Sequence, residues 1–185
     1  MRLLPRLMLL LPILVLGGCS WVQSLGGPGK NEFAPPCPRP TLVSDLADIT
    51  RFNTPNGRDL TEMVVQGRLV GLGGECKYKE SGSPLVETTV TIVAEFQRGP
   101  AMQGREMTVP VFIAVTEGDN VLDKRVIEFP VAFPPNVDHV ALQSQPVRLV
   151  LPTSKTKSPA AFSVIGGFQL TAAELASNRE RTGGR

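Results

Sequence analysis

The chain has 185 residues, with 19 Lys and Arg against 17 Asp and Glu, a formal charge of +2. Arg2 and Arg6 account for the surplus, because residues 1–18 hold no acid, and the balanced remainder argues against nucleic-acid binding, which needs a basic surface. With 42% hydrophobic residues, 18 Gly and 17 Pro, the composition is that of a folded domain with a real core, short of the disordered range.

In chain order, the basic head at Arg2 and Arg6 is followed by the apolar run Leu7–Leu16. Ten helical residues cover about half of a ~30 Å hydrocarbon core, too little for a spanning helix but right for the h-region of an export signal. The run ends in Leu16-Gly17-Gly18-Cys19, which resembles the lipobox of bacterial lipoproteins. That resemblance implies that residues 1–18 are a signal peptide and that Cys19 receives a diacylglyceryl group on its thiolate. Two or three acyl chains would then anchor the protein without a spanning helix. Ser20 stands where an Asp commonly holds such proteins at the inner membrane, so the expected place is the outer membrane, facing the periplasm. Trp21 is expected either at headgroup level or simply beside the tether.

Residues 19–40 carry Gly26-Gly27-Pro28-Gly29 and Pro35-Pro36-Cys37-Pro38-Arg39-Pro40, the composition of a tether that is flexible first and stiff later. With Cys19 lipidated, Cys37 and Cys76 remain, and an even remainder in an oxidising compartment suggests one disulfide. Closing a loop of that length is worth about 4 kcal/mol in the chain-entropy model.

Leu42, Leu46 and Ile49 match helical spacing, so residues 42–49 read equally as a short helical turn or a first strand. From residue 60 the period is two. Met63, Val65 and Leu69 alternate with Gln66, Arg68 and Val70, and Gly71-Leu72-Gly73-Gly74 reads as a turn into Glu75–Lys79, or as a bulge. Val90, Ile92, Ala94 and Phe96 alternate over residues 85–97, closed by Arg98-Gly99-Pro100. Val109, Val111, Ile113 and Val115 follow over residues 107–116, where Pro110 suggests an edge or a bulge. Glu117-Gly118-Asp119-Asn120 is a hairpin loop before Ile127, Phe129, Val131 and Phe133. Shorter strands are expected at residues 137–143, 146–151 and 161–170. About eight strands with turn residues between them predict an all-β, Ig-like antiparallel β-sandwich over residues 41–181. The Cys…Trp…Cys core of a true immunoglobulin domain is missing. Thr171-Ala172-Ala173-Glu174 is a capping box opening a short C-terminal helix to about Arg181, with residues 182–185 as a frayed tail.

The chemical signals are weak. His139 is the lone His, and its neighbour Asp138 would face the other side of a strand. Ser154-Lys155-Thr156-Lys157 matches S-x-x-K, but it lies between Pro152 and Pro159 without partner motifs. Gly71–Glu75 has no helix after it to cradle phosphate. Asp119, Asn120 and Asp123 lack calcium-loop spacing. No metal, cofactor or catalytic residue is expected. Phe96, Phe112, Phe129, Phe133 and Phe168 read as core. The stretches 107–115 and 126–133 are apolar on both faces, which fits central strands, an apolar groove or a partner-binding edge.

The stretch Gly167-Phe168-Gln169-Leu170-Thr171-Ala172-Ala173-Glu174-Leu175-Ala176-Ser177-Asn178-Arg179 resembles a group of small alphaproteobacterial envelope lipoproteins. Cys37-Pro38 with Ala47-Asp48, Gly57-Arg58-Asp59-Leu60 and Arg98-Gly99-Pro100-Ala101 fit the same group. The resemblance implies location and no active residues. The expectation is a lipid-anchored, non-enzymatic module that docks to an envelope protein through the edge at residues 107–115 or through the terminal helix around Leu175. The alternative is a periplasmic carrier or sensor of an apolar ligand, held between the sheets.

Overall fold

A computed structural model describes residues 37–54, 59–80 and 83–183. Residues 1–36, with the signal segment, Cys19 and most of the tether, lie outside the described residues, as do residues 184 and 185.

The alternating segments form an antiparallel β-sandwich of two sheets. Its strands are β1 (Thr41–Leu42), β2 (Asp48–Phe52), β3 (Met63–Tyr78), β4 (Val86–Arg98), β5 (Glu106–Glu117), β6 (Asn120–Ala132), β7 (His139–Gln143), β8 (Val147–Leu151) and β9 (Ser163–Phe168), followed by helix α1 (Ala172–Gly183). One sheet has the order β1-β9-β5-β6. The other has the order β2-β3-β4-β7, with β8 also on β4. The β1–β9 pair is parallel and only two residues long, Thr41 with Ile165 and Leu42 with Gly166. Residues 42–49 contain both of the open alternatives, since a 3₁₀ turn at Ser44–Leu46 separates the end of β1 from β2.

The inward side of each strand is the one its alternation marks. Val65, Leu69, Val90, Ile92, Ala94 and Phe96 from one sheet meet Val109, Val111, Ile113, Phe129, Val131 and Phe168 from the other in one core. Gly67 lies opposite Phe96 in the β3–β4 ladder. A Cβ there would come within 2.6 Å of the Phe96 ring and 3.0 Å of Ile49. The bare backbone lets the ring lie over residue 67, where it stands 5.6 Å from Phe129 and 6.1 Å from Phe168, centroid to centroid. Tilted rings at this spacing add about 0.5–1.5 kcal/mol per pair beyond their buried area.

Two sequence expectations need correction. The glycines at 71–74 do not turn the chain, because β3 runs on through them to Tyr78, with a shift of ladder register between Leu69 and Gly71. That shift is the bulge that glycine permits, and it lets a 16-residue strand bend without ending. The second concerns β5, which is not an edge. Residues 111–116 lie between β6 and β9 and are buried throughout. Pro110 sits one residue beyond the β9 ladder, where its missing N–H has no strand to serve; its carbonyl accepts from Gln169 N–H at 2.9 Å. Among the described residues the outer edge belongs to β6, which holds Pro130 and pairs only with β5.

The loops between sheets are tied by arginines. Arg98 donates to the carbonyls of Met102 (2.8 Å) and Gly104 (3.0 Å), closing the β4–β5 loop on itself. Arg105 donates to the carbonyls of Phe133 (2.8 Å), Pro134 and Val137 (2.8 Å), which joins that loop to the β6–β7 loop. Gly99 lies flat against the backbone of Met63, donates its N–H to the Val64 carbonyl, and leaves no room for a side chain. The Arg98-Gly99-Pro100 segment is therefore a structural corner.

Thr88 is fully buried in β4, and its hydroxyl has no hydrogen-bond partner among the described residues. A buried hydroxyl without a partner costs about 1–3 kcal/mol. Thr88→Val is expected to raise stability by about 1 kcal/mol, a Tm gain of about 3 °C in thermal unfolding followed by circular dichroism. An unchanged or lower Tm would show that the hydroxyl is satisfied. Gly99→Ala is expected to lose about 3 kcal/mol or more, because the Met63 backbone cannot yield as a side chain would. The same melt reads it.

Candidate functional site

Cys37 and Cys76 form a disulfide, with a Cα–Cα separation of 5.5 Å and a sequence separation of 39. It fixes the start of the described chain to the far end of β3, where Cys76 pairs with Thr88 of β4. Pro40 packs beside Gly74, whose missing side chain makes the space.

The weak chemical signals resolve into ordinary structure. Ser154 Oγ accepts from the N–H of Thr156 (3.3 Å) and Lys157 (3.1 Å), which makes a local turn. Lys157 reaches Glu117, at 2.8 Å, rather than the serine. Gly71–Glu75 is strand, with no phosphate cradle. Asp123 pairs with Arg125 at 3.3 Å. Among the described residues no cluster of three or more His, Cys, Asp or Glu is placed to hold a metal.

His139 is exposed at the start of β7, opposite Gln97. With Gln66, Arg68, Glu95 and Gln97 it lines an open groove of about 410 Å³ on the outer face of the β2-β3-β4-β7 sheet. Arg68 donates to Asp48 at 2.7 Å, and that bond with its charge raises the guanidinium pKa above its ordinary value. The groove joins no nucleophile to a base, and its charges offset one another.

Helix α1 is committed to its own domain. Thr171 and Glu174 make the capping box in both directions, at 3.2 and 2.7 Å. Glu174 also pairs with Arg51 at 3.1 Å, and Arg179 with Asp45 at 3.2 Å. Asn178, buried, donates to the carbonyls of Asp45 (2.9 Å) and Asp48 (2.7 Å). Leu175 is half-buried. The helix therefore covers the turn before β2.

The free surface with a definite form is the edge of β6. Pro110 faces Glu128 and Thr108 faces Pro130 across the β5–β6 ladder. Proline has no N–H and the Pro110 carbonyl points to Gln169, so these are non-hydrogen-bonded pairs. By the same parity the N–H and C=O groups of Lys124, Val126 and Glu128 point out from the sheet's free edge. At one end this window stops at Leu122, which the ladder skips between Asp123 and Val121. At the other it stops at Pro130. Val121, Leu122 and Val126 are 59%, 44% and 51% exposed. Val126 lies beside Phe112, on whose ring Lys124 rests at 4.5 Å. Sequence alternation alone did not single out this edge, although Pro130 signals it.

No protein-family model, curated protein or solved structure matches the chain.

Asn178→Ala is expected to cost about 2 kcal/mol by stripping two backbone carbonyls of their donor, and to speed proteolysis within α1. Ala176→Ser, at an exposed site on the same helix, is expected to stay within about 0.5 kcal/mol. Equal effects from the two would refute the anchoring role of Asn178.

Proposed function

We propose that the protein is a cell-envelope lipoprotein, held in the outer membrane through acylated Cys19 and facing the periplasm. In this reading its β-sandwich is a non-enzymatic module for protein binding or scaffolding. The β6 edge carries the reading. It offers unpaired backbone groups on Lys124, Val126 and Glu128 beside exposed apolar side chains, the form of surface that an added strand recognises. The docking edge thus moves from residues 107–115 to β6, because β5 is interior.

The carrier alternative finds less support. The space between the sheets where an apolar ligand would lie is occupied by Phe96, Phe129 and Phe168. The described grooves are open and outside the sheets, one on the outer face and one of about 390 Å³ beside α1. Among the described residues no helix is long and apolar enough to cross a membrane, so membrane attachment in this proposal rests on Cys19.

Two measurements test the reading. Cys19→Ala is expected to abolish acylation in the intact mass and to release the protein from membranes; retained acylation would refute the anchor. A photocrosslinker at Val126 is expected to trap a discrete protein adduct in the native host, while one at Val150 on β8 does not. No adduct at Val126 would count against docking through β6.

A further inference from the structure

The outward-facing side chains of β6 read Leu122, Lys124, Val126, Glu128 and Pro130, and this series is complementary to itself in reverse. We propose that a second copy of this chain is the partner of the β6 edge, the two strands pairing antiparallel about a two-fold axis through Val126. The inference rests on the docking reading above and names its occupant.

Antiparallel pairing centred on Val126 sets Val126 against its own copy and Lys124 against Glu128 of the other chain, twice by symmetry. Opposite charges directly across an antiparallel ladder stabilise it. Within one chain Lys124 and Glu128 are two ladder steps apart on the same strand, too far to pair, and Glu128 has no ion pair among the described residues. Lys124, Val126 and Glu128 all present N–H and C=O to the free edge, so the three pairs are of the hydrogen-bonded kind.

The ends of the window fix the register. Pro130, which has no N–H to give, falls opposite Leu122, the residue the β5 ladder already skips. The two positions least able to continue a ladder therefore meet each other. A slip of two residues one way centres the pairing on Arg125 and sets two arginines face to face, with Lys124 against Val126. A slip the other way sets Lys124 against Pro130 and Glu128 against Val126. Only the Val126 register pairs both charges and joins the apolar residues. The lysine, proline and bulge that blunt an edge against indiscriminate pairing here leave one five-residue match open. The result is an isologous interface that joins two four-stranded sheets into one.

The test uses the full-length chain in membranes of its native host and in detergent extracts. In a hydrogen-bonded antiparallel pair the Cα atoms are about 5.5 Å apart, within the range a disulfide spans. Val126→Cys is therefore expected to give a covalent homodimer on mild oxidation, with position 126 linked to itself in the peptide map. Val150→Cys, on an exposed site of β8, is expected to give none. In sedimentation of the extracted protein, Lys124→Glu and Glu128→Lys are each expected to weaken self-association about tenfold or more, and the double exchange to restore it. A strictly monomeric protein with no Val126→Cys homodimer overturns the proposal, as does a double exchange that fails to restore what the single changes lose. If Val126 traps a different protein and no second copy, self-pairing is wrong and docking through β6 stands. If it traps neither, both readings fall.

Discussion

The approach of the two sheets depends on one absent side chain. Gly67 leaves room for the Phe96 ring to lie over the neighbouring strand, and the ring's far side then meets Phe129 and Phe168 from the opposite sheet. A methyl group at residue 67 would push that ring back into the space those two occupy. Gly166 performs the reciprocal service from the other sheet, where Leu72 lies against its bare Cα. Packing of this kind tolerates little displacement, since interiors are filled to crystal-like density.

Rigidity at one end of the sandwich comes from an unusual use of charge. Arg98 and Arg105 bond to backbone carbonyls of the inter-sheet loops rather than to carboxylates. A guanidinium presents its donors in a fixed planar fork, so one side chain can fix several carbonyls in a set arrangement that a lysine's freely rotating ammonium does not impose. These two cations are therefore spent on internal order. At the other border the charges of β6 face outward.

Much of the fold was legible because burial follows a period of two. Val90 through Phe96 and Val109 through Val115 point inward as their alternation says. The capping box at Thr171 and Glu174 was equally plain, since it is a local motif whose partners lie three residues apart. The disulfide followed from cysteine parity. What escaped was non-local. Gly71–Gly74 has turn composition but lies within a strand, because β4 runs alongside and supplies the ladder. Residues 107–115 look like an edge from Pro110, yet β9, some fifty residues later, covers all but their start. The carbonyl partners of Arg105 and Asn178 lie far along the chain, and no spacing rule announces them.

The short parallel pair of β1 with β9 has a kinetic consequence. The first described strand can complete its pairing only after residues 163–168 exist, and α1 reaches back to Asp45 and Asp48 only later still. Until then β5 has one neighbour, and the flank that β9 will cover lies open in water. Loop closure over so long a stretch is slow, and chains of this topology reach the native state late rather than segment by segment. The molecule thus has a lock whose last turn belongs to its C-terminal fifth. A nascent chain remains unfinished, exposed to chaperones and proteases alike, until almost all of it has been made.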